Sequence, residues 1–179
     1  MEKTLFIVAG ANGSGKTTFA RKFCEKNNLE FINTDEIAKH CYSNIDAGKI
    51  FLKTVKERLN HSNSFVIETT LSGRYINSII NEAKLKGFKV EIIYIFLNSW
   101  VENIARVKQR VMKGGHDVPT QDIIRRYFRS KEIFWNIKNK VDNWSLIYNG
   151  EDDFILVADK NQVYLHTLYK LFLEDSGDE

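Results

Sequence analysis

The chain has 179 residues, 43% of them hydrophobic and 27% charged, with a formal net charge of +3, one proline and two cysteines. That length suits one domain, at roughly 100–200 residues per domain, and the composition excludes disordered, collagen-like and disulfide-stapled chains. Cys24 and Cys41 are too few for a disulfide framework, and the longest apolar run, 92–97, is far too short to cross a bilayer, so a cytoplasmic protein without a leader or membrane contact is expected.

Taken in chain order, residues 4–9 are an apolar, β-branched run ending in glycine and read as a buried strand. A helix follows over 16–27, with Phe19, Ala20 and Phe23 on one face, then a short strand at 30–32. The region 35–60 is helical in two pieces, 64–69 is a second buried strand, and 74–86 is a helix stopped by Gly87. Residues 89–97 form the most strand-like segment, and 101–113 a helix ended by Gly114-Gly115. Thr120, just after Pro119, sits where an N-cap belongs for a helix to about residue 137. Strands at 144–148 and 154–158 and a closing helix over 162–173 complete the pattern. Strands alternating with helices predict an α/β domain over 1–179, a parallel sheet with helices on both faces.

The first loop carries the chemistry. Gly10-Ala11-Asn12-Gly13-Ser14-Gly15-Lys16-Thr17 satisfies G-x-x-x-x-G-K-[ST], between an apolar strand and an amphipathic helix. Its glycines let backbone N–H groups face phosphate oxygens, and the helix opening at Lys16 aims its positive end at the same point. Lys16 should reach the β- and γ-phosphates and the Thr17 hydroxyl should ligate Mg²⁺, with Thr18 completing the cradle. This predicts ATP or GTP binding with Mg²⁺, but not what is done with the nucleotide.

Two acids lie at the carboxyl ends of strands, where open parallel sheets bind ligands: Asp35 and Glu68. Transfer of a phosphoryl group to a hydroxyl needs a carboxylate to orient the hydroxyl or take its proton. Asp35 is the candidate base and also fits as a helix cap. Glu68 could order a Mg²⁺-bound water or hold the acceptor hydroxyl, and Thr69, Thr70 and Arg74 follow on a loop suited to a second substrate.

Between residues 104 and 138 there are nine Lys/Arg against three Asp/Glu, whereas the last six residues hold four acids. A local site for an anion is implied. Arg106 and Arg110 share a helix face, and Arg125, Arg126 and Arg129 lie on the helix beyond the Gly114-Gly115-His116 loop. Arginines on a closing segment stabilise the charge of a transferring phosphoryl group and exclude water. This is a lid at roughly 106–130, with Arg110 and Arg126 the foremost candidates. Tyr127, Phe128, Phe134 and Trp135 interleave with the basic residues as stacking platforms would, but Tyr127, Phe134 and Ile137 also fit a buried helical stripe, so no nucleic acid is expected.

GANGSGKTT, the Asp of NTDEI, ETTLSG and RVKQRVMKGGHDVPTQDIIRRYFRS together resemble the zeta-toxin-like P-loop kinases, across roughly residues 3–149 and most closely their short members. The resemblance implies a nucleoside-monophosphate-kinase-like fold with a helical lid. It also implies transfer of the γ-phosphoryl group to a hydroxyl of a small metabolite, UDP-N-acetylglucosamine or a related sugar nucleotide, and an antitoxin as partner. By the same resemblance Lys16 is the phosphate-loop lysine, Asp35 the base, Glu68 the strand-end acid and Arg110 the arginine ahead of the lid loop, with Arg125 or Arg126 standing in where His116 precedes Pro119. The alternative is a nucleotide-binding switch or NTPase module that acts on a protein partner.

Overall fold

The alternating pattern folds into one six-stranded sheet covered on both faces. The computed structural model describes residues 2–38, 44–61, 63–150 and 153–174, with the side chains of Asp35, Ala38, Asn44 and Ile45 outside that description, as are His40, Cys41 and the acidic residues 175–179. The strands are β1 (Thr4–Ala9), β2 (Glu30–Asn33), β3 (Phe65–Thr69), β4 (Lys89–Phe96), β5 (Asn143–Asn149) and β6 (Phe154–Asp159), in the spatial order β2-β3-β1-β4-β5-β6. The first five are parallel. β6 departs from the all-parallel expectation and runs antiparallel to β5. The reason is chain length: only residues 150–153 separate the two strands, and a parallel return needs a dozen residues or more.

The helices are α1 (Lys16–Asn27), α2 (Thr34–Ala38), α3 (Asn44–Leu59), α4 (Ile76–Leu85), α5 (Trp100–Met112), α6 (Thr120–Ile137) and α7 (His166–Glu174). Side chains of a strand alternate between faces. Leu5, Ile7 and Ala9 therefore join one core with Phe51, Val55, Ile76, Phe134 and Phe172. Val8 and Phe6 face the other way, onto Ala20, Phe23 and Cys24 of α1. A third cluster, Val107, Val118 and Ile123, pins α5 to α6. Tyr127, Phe134 and Ile137 are buried, as a helical stripe requires.

Three element ends differ from the sequence reading. Arg74 precedes α4, which starts at Ile76. Pro119, with extended ψ of 135°, is the cap residue of α6, and Thr120 is its first helical residue. α7 starts only at His166, because Asp159 claims the residues before it: Oδ1 accepts from the Asn161 and Gln162 amides at 2.7 and 3.1 Å, and Oδ2 accepts from the Tyr164 hydroxyl at 2.7 Å. The Gly114-Gly115 pair is first of all a helix stop. Gly114 has φ 84°, its amide donates to Val111 O and that of Gly115 to Arg110 O, both at 2.9 Å, which is a Schellman ending. Among the described residues no helix is long and apolar enough to cross a membrane.

Candidate active site

The carboxyl ends of β1, β2 and β3 converge on a cleft of about 510 Å³. β1 ends in the phosphate loop, whose glycines take conformations that side chains resist: Gly10, Gly13 and Gly15 have φ of 137°, 82° and 92°. At Gly13 a Cβ would run into the Asn103 carbonyl of α5, so the loop needs glycine there for space as well as for φ. Gly15 is the cap residue of α1 and no side chain caps that helix. Its first amides thus stay available to an anion. Asn12, Gly13, Gly15, Lys16, Thr17 and Thr18 line the cleft, while Gly10, Ala11 and Ser14 form the buried back of the loop. Lys16, 6% exposed, donates through Nζ to Ala11 O at 2.8 Å.

Two carboxamides hold the loop from behind. Asn103 Nδ2 donates to Asn12 O at 2.7 Å and Asn149 Nδ2 to Ser14 O at 2.9 Å. Carbonyls tied from outside leave the loop's N–H groups facing inward. Periodicity does not reveal these two residues, although the position of Asn149 at the end of a parallel strand is a usable signal.

Glu68, at the end of β3 and 8% exposed, accepts from the Thr17 hydroxyl through Oε1 and from Asn33 Nδ2 through Oε2, both at 3.0 Å. The strand-end acid and the expected metal-ligating hydroxyl are therefore adjacent, with Asn33 fixing the carboxylate plane. Next in the chain, Leu71 adopts φ 52° with its side chain fully buried. Thr69 Oγ1 accepts from the Leu71 amide at 3.0 Å and shares a 2.9 Å hydrogen bond with the Tyr75 hydroxyl. The turn thereby sets Thr69, Thr70, Ser72 and Tyr75 along the cleft wall. Burial pushes the Tyr75 phenol above its ordinary value, so it stays protonated. Asp35 belongs to α2, directly after β2. Its side chain lies outside the described residues.

From the opposite side, α5 contributes Arg106 and Arg110 and α6 contributes Arg125 and Arg126 to the same lining, with His116 between them. Ser99 starts α5 by accepting from the Glu102 amide at 3.5 Å. Arg106 Nη2 bonds Glu102 at 2.8 Å and the Asn149 carbonyl at 3.2 Å. Arg110 Nη2 donates to His116 O at 2.7 Å, bracing the loop between α5 and α6. Arg126 Nη1 donates to Asn12 Oδ1 at 3.2 Å, tying α6 to the phosphate loop itself. Arg125 pairs with Asp122 at 2.9 Å and holds its carboxyl below the usual range. Arg74 and Arg129 lie outside the cleft, in the groove next to it.

Five cations, Lys16, Arg106, Arg110, Arg125 and Arg126, line the cleft against one acid, Glu68, among the described residues. A polyanion is what such a field selects. A nucleoside triphosphate fits on two further observations: the uncapped amides of α1, and the Ser14 hydroxyl, buried with no partner at the back of the loop. Thr17 and Glu68 suit Mg²⁺, which is held by one or two protein oxygens plus phosphates rather than by a full protein cage. No group of three or more His, Cys, Asp or Glu side chains is placed to hold a metal among the described residues.

Residues 5–129 match the family described as AAA domain. An uncharacterized protein of Haemophilus influenzae is 34% identical over 131 residues, covering 70% of this chain and 92% of the relative. Among solved structures, the complex of AvrRxo1-ORF1 with ORF2 and ATP superposes with a TM-score of 0.75 at 19% identity, covering 99% of this chain and 65% of that one. This chain thus spans less than two thirds of that protein. A structure of the PezAT chromosomal toxin–antitoxin system of Streptococcus pneumoniae superposes with a TM-score of 0.70 at 17% identity, covering 99% of this chain and 80% of its counterpart.

Proposed function

This chain belongs to the AAA domain family and has a zeta-toxin-like P-loop kinase fold, and from that premise we propose that it transfers the γ-phosphoryl group of ATP or GTP to a hydroxyl of a small metabolite. One observation carries the proposal: a phosphate-loop lysine, the Thr17–Glu68 pair and four arginines from two helices line a single cleft. A nucleotide binder without transfer has no need of so many arginines facing the loop.

Bound MgATP or MgGTP supplies the phosphoryl group and a metal charge on its oxygens. The chain's residues do the rest. The amides of the 10–18 segment hold the phosphate chain, and Lys16 turns from Ala11 O to the β- and γ-oxygens. Thr17 and Glu68, the latter oriented by Asn33, would hold the metal that accompanies the phosphates, and Glu68 is placed to orient the acceptor. Asp35 takes the proton of the attacking hydroxyl as the new O–P bond forms and the bond to the β-phosphate oxygen breaks, releasing the nucleoside diphosphate. Arg110 and Arg126, with Arg106 and Arg125 beside them, spread over the transferring oxygens. Closure of α5 and α6 excludes water.

UDP-N-acetylglucosamine is the acceptor that the zeta-toxin resemblance nominates, and an antitoxin-like protein is the matching partner, since the PezAT neighbour is described as a toxin–antitoxin system. The test is purified protein with γ-labelled MgATP or MgGTP and a panel of nucleotide sugars, nucleosides and sugars. Labelled acceptor that disappears in Lys16→Ala and Asp35→Ala supports the reading. Labelled inorganic phosphate alone, unchanged in Asp35→Ala, would leave a nucleotide-driven switch that acts on a partner protein.

A further inference from the structure

We propose that the groove next to the cleft is a subsite for a phosphate group on the non-reacting end of the acceptor, so that the substrate is a small metabolite already phosphorylated at one end. The inference rests on the kinase reading and adds a substrate class to it. A cleft of about 510 Å³ is the size taken by one drug-sized ligand. With a triphosphate in it, an acceptor can insert its hydroxyl but must keep its remaining bulk elsewhere. More space adjoins at Gly73 and Arg125, which line both the cleft and a neighbouring groove of about 890 Å³.

That groove carries Arg74, Arg125 and Arg129, with Phe128 beside them and Glu132 farther along α6. Arg125 and Arg129 are one helical turn apart, a like-charge spacing that is mildly destabilising by itself. Arg125 is already paired with Asp122. Among the described residues, neither Arg74 nor Arg129 has an ion pair or side-chain hydrogen bond. Glu132, one turn from Arg129, is not paired with it either. Arg74 stands directly after the 68–73 wall of the acceptor cleft, and Arg129 lies one turn beyond Arg125 on α6, so cationic side chains line the cleft, the shared wall and the groove. Two guanidinium forks without carboxylates suit a phosphate, which they can grip with paired N–H bonds. Phe128 is 42% exposed on the same wall and offers a flat face to a sugar or base ring. The track then ends, because Glu132 and Ile133 replace arginine at the far side. A nucleic acid strand would need the positive groove to continue.

The test uses the full chain saturated with MgADP, which occupies the phosphate loop, titrated by calorimetry with uridine 5′-monophosphate, uridine, glucose 6-phosphate, glucose and a ten-residue single-stranded oligonucleotide. The phosphorylated probe of at least one pair is expected to bind about tenfold or more tightly than its unphosphorylated form, and Arg74→Ala with Arg129→Ala should remove that preference while MgADP affinity stays put. Phe128→Ala should weaken the nucleotide but not the sugar phosphate, telling the two sources of phosphate apart. Equal affinity within both pairs, or a preference untouched by the two arginine changes, overturns the proposal, as does an oligonucleotide that outcompetes both phosphorylated probes. Failure of the kinase reading shows separately, as no MgADP binding or no labelled acceptor.

Discussion

Replacing Asn103 by leucine separates loop geometry from general stability. The side chain is 1% exposed, its Nδ2 holds Asn12 O at 2.7 Å, and its Oδ1 is buried with no partner. Leucine has nearly the same size, so no cavity opens. Losing the hydrogen bond costs about 1 kcal/mol, and losing the orphaned oxygen returns a similar amount. The melting temperature should therefore move by no more than about 3 °C in a chain of this length. Nucleotide affinity should fall much further in proportion. Once freed, the Asn12 carbonyl can turn toward the phosphates, and a single misdirected dipole is expected to weaken MgADP binding about tenfold, or about 1.4 kcal/mol. Asn103→Asp makes a sharper version, since it sets a carboxylate oxygen against the carbonyl. Calorimetry and thermal melting on the same preparations decide the matter. If MgADP affinity survives Asn103→Leu while the melting point drops well beyond that range, the residue is packing and the clamp argument fails.

Three other outcomes follow from the same physics. Glu68→Gln cannot accept from both Thr17 and Asn33, and kcat should fall about 100-fold, near 2.7 kcal/mol of barrier, with KM for nucleotide changing less; a steady-state series over Mg²⁺ concentration would show it. Phe134→Ala removes a fully buried ring packed on Tyr94, Trp144 and Phe172, which should cost about 3–5 kcal/mol and be read as a loss of about 10 °C or more in melting temperature. Cys24 lies on the buried face of α1 with its thiol pushed up to about 11, chiefly by burial and then by Glu25. A raised folded value leaves stability intact below the ordinary value of 9.0 and erodes it as pH climbs toward 11. Urea midpoints at pH 8 and pH 10.5 should therefore differ more for the native chain than for Cys24→Ala.

Much of the architecture was legible because it rests on local signals. The 4–9 run, the glycine loop and the helix from Lys16 predicted β1, the loop and α1 at their observed bounds. The strand direction of β6 was not legible, since an apolar run of five residues looks the same in either orientation; only the four-residue connection from β5 decides it. The late start of α7 was hidden for another reason. Gln162 to Tyr164 have acceptable helical character, but the Asp159 carboxylate offers their backbone and side chains a better set of hydrogen bonds.

At the site, charged residues announced themselves and amides did not. Lys16, Thr17, Glu68 and the arginines of α5 and α6 belong to spacings that chemistry makes recognisable. Asn33, Asn103 and Asn149 carry no period and no charge, yet they hold the Glu68 carboxylate and two carbonyls of the phosphate loop in place. The distinction has a physical basis. A charged group can be read from sequence because its purpose is to meet another charge, which constrains residue type alone. A carboxamide acts only when folding brings a particular donor within about 3 Å of a particular acceptor, here across as many as 135 residues of chain. Arg74 and Arg129 show the converse limit. Sequence could group them with the other cations, but only the fold places Arg106, Arg110 and Arg126 on the cleft, Arg74 and Arg129 in the neighbouring groove, and Arg125 on the wall between.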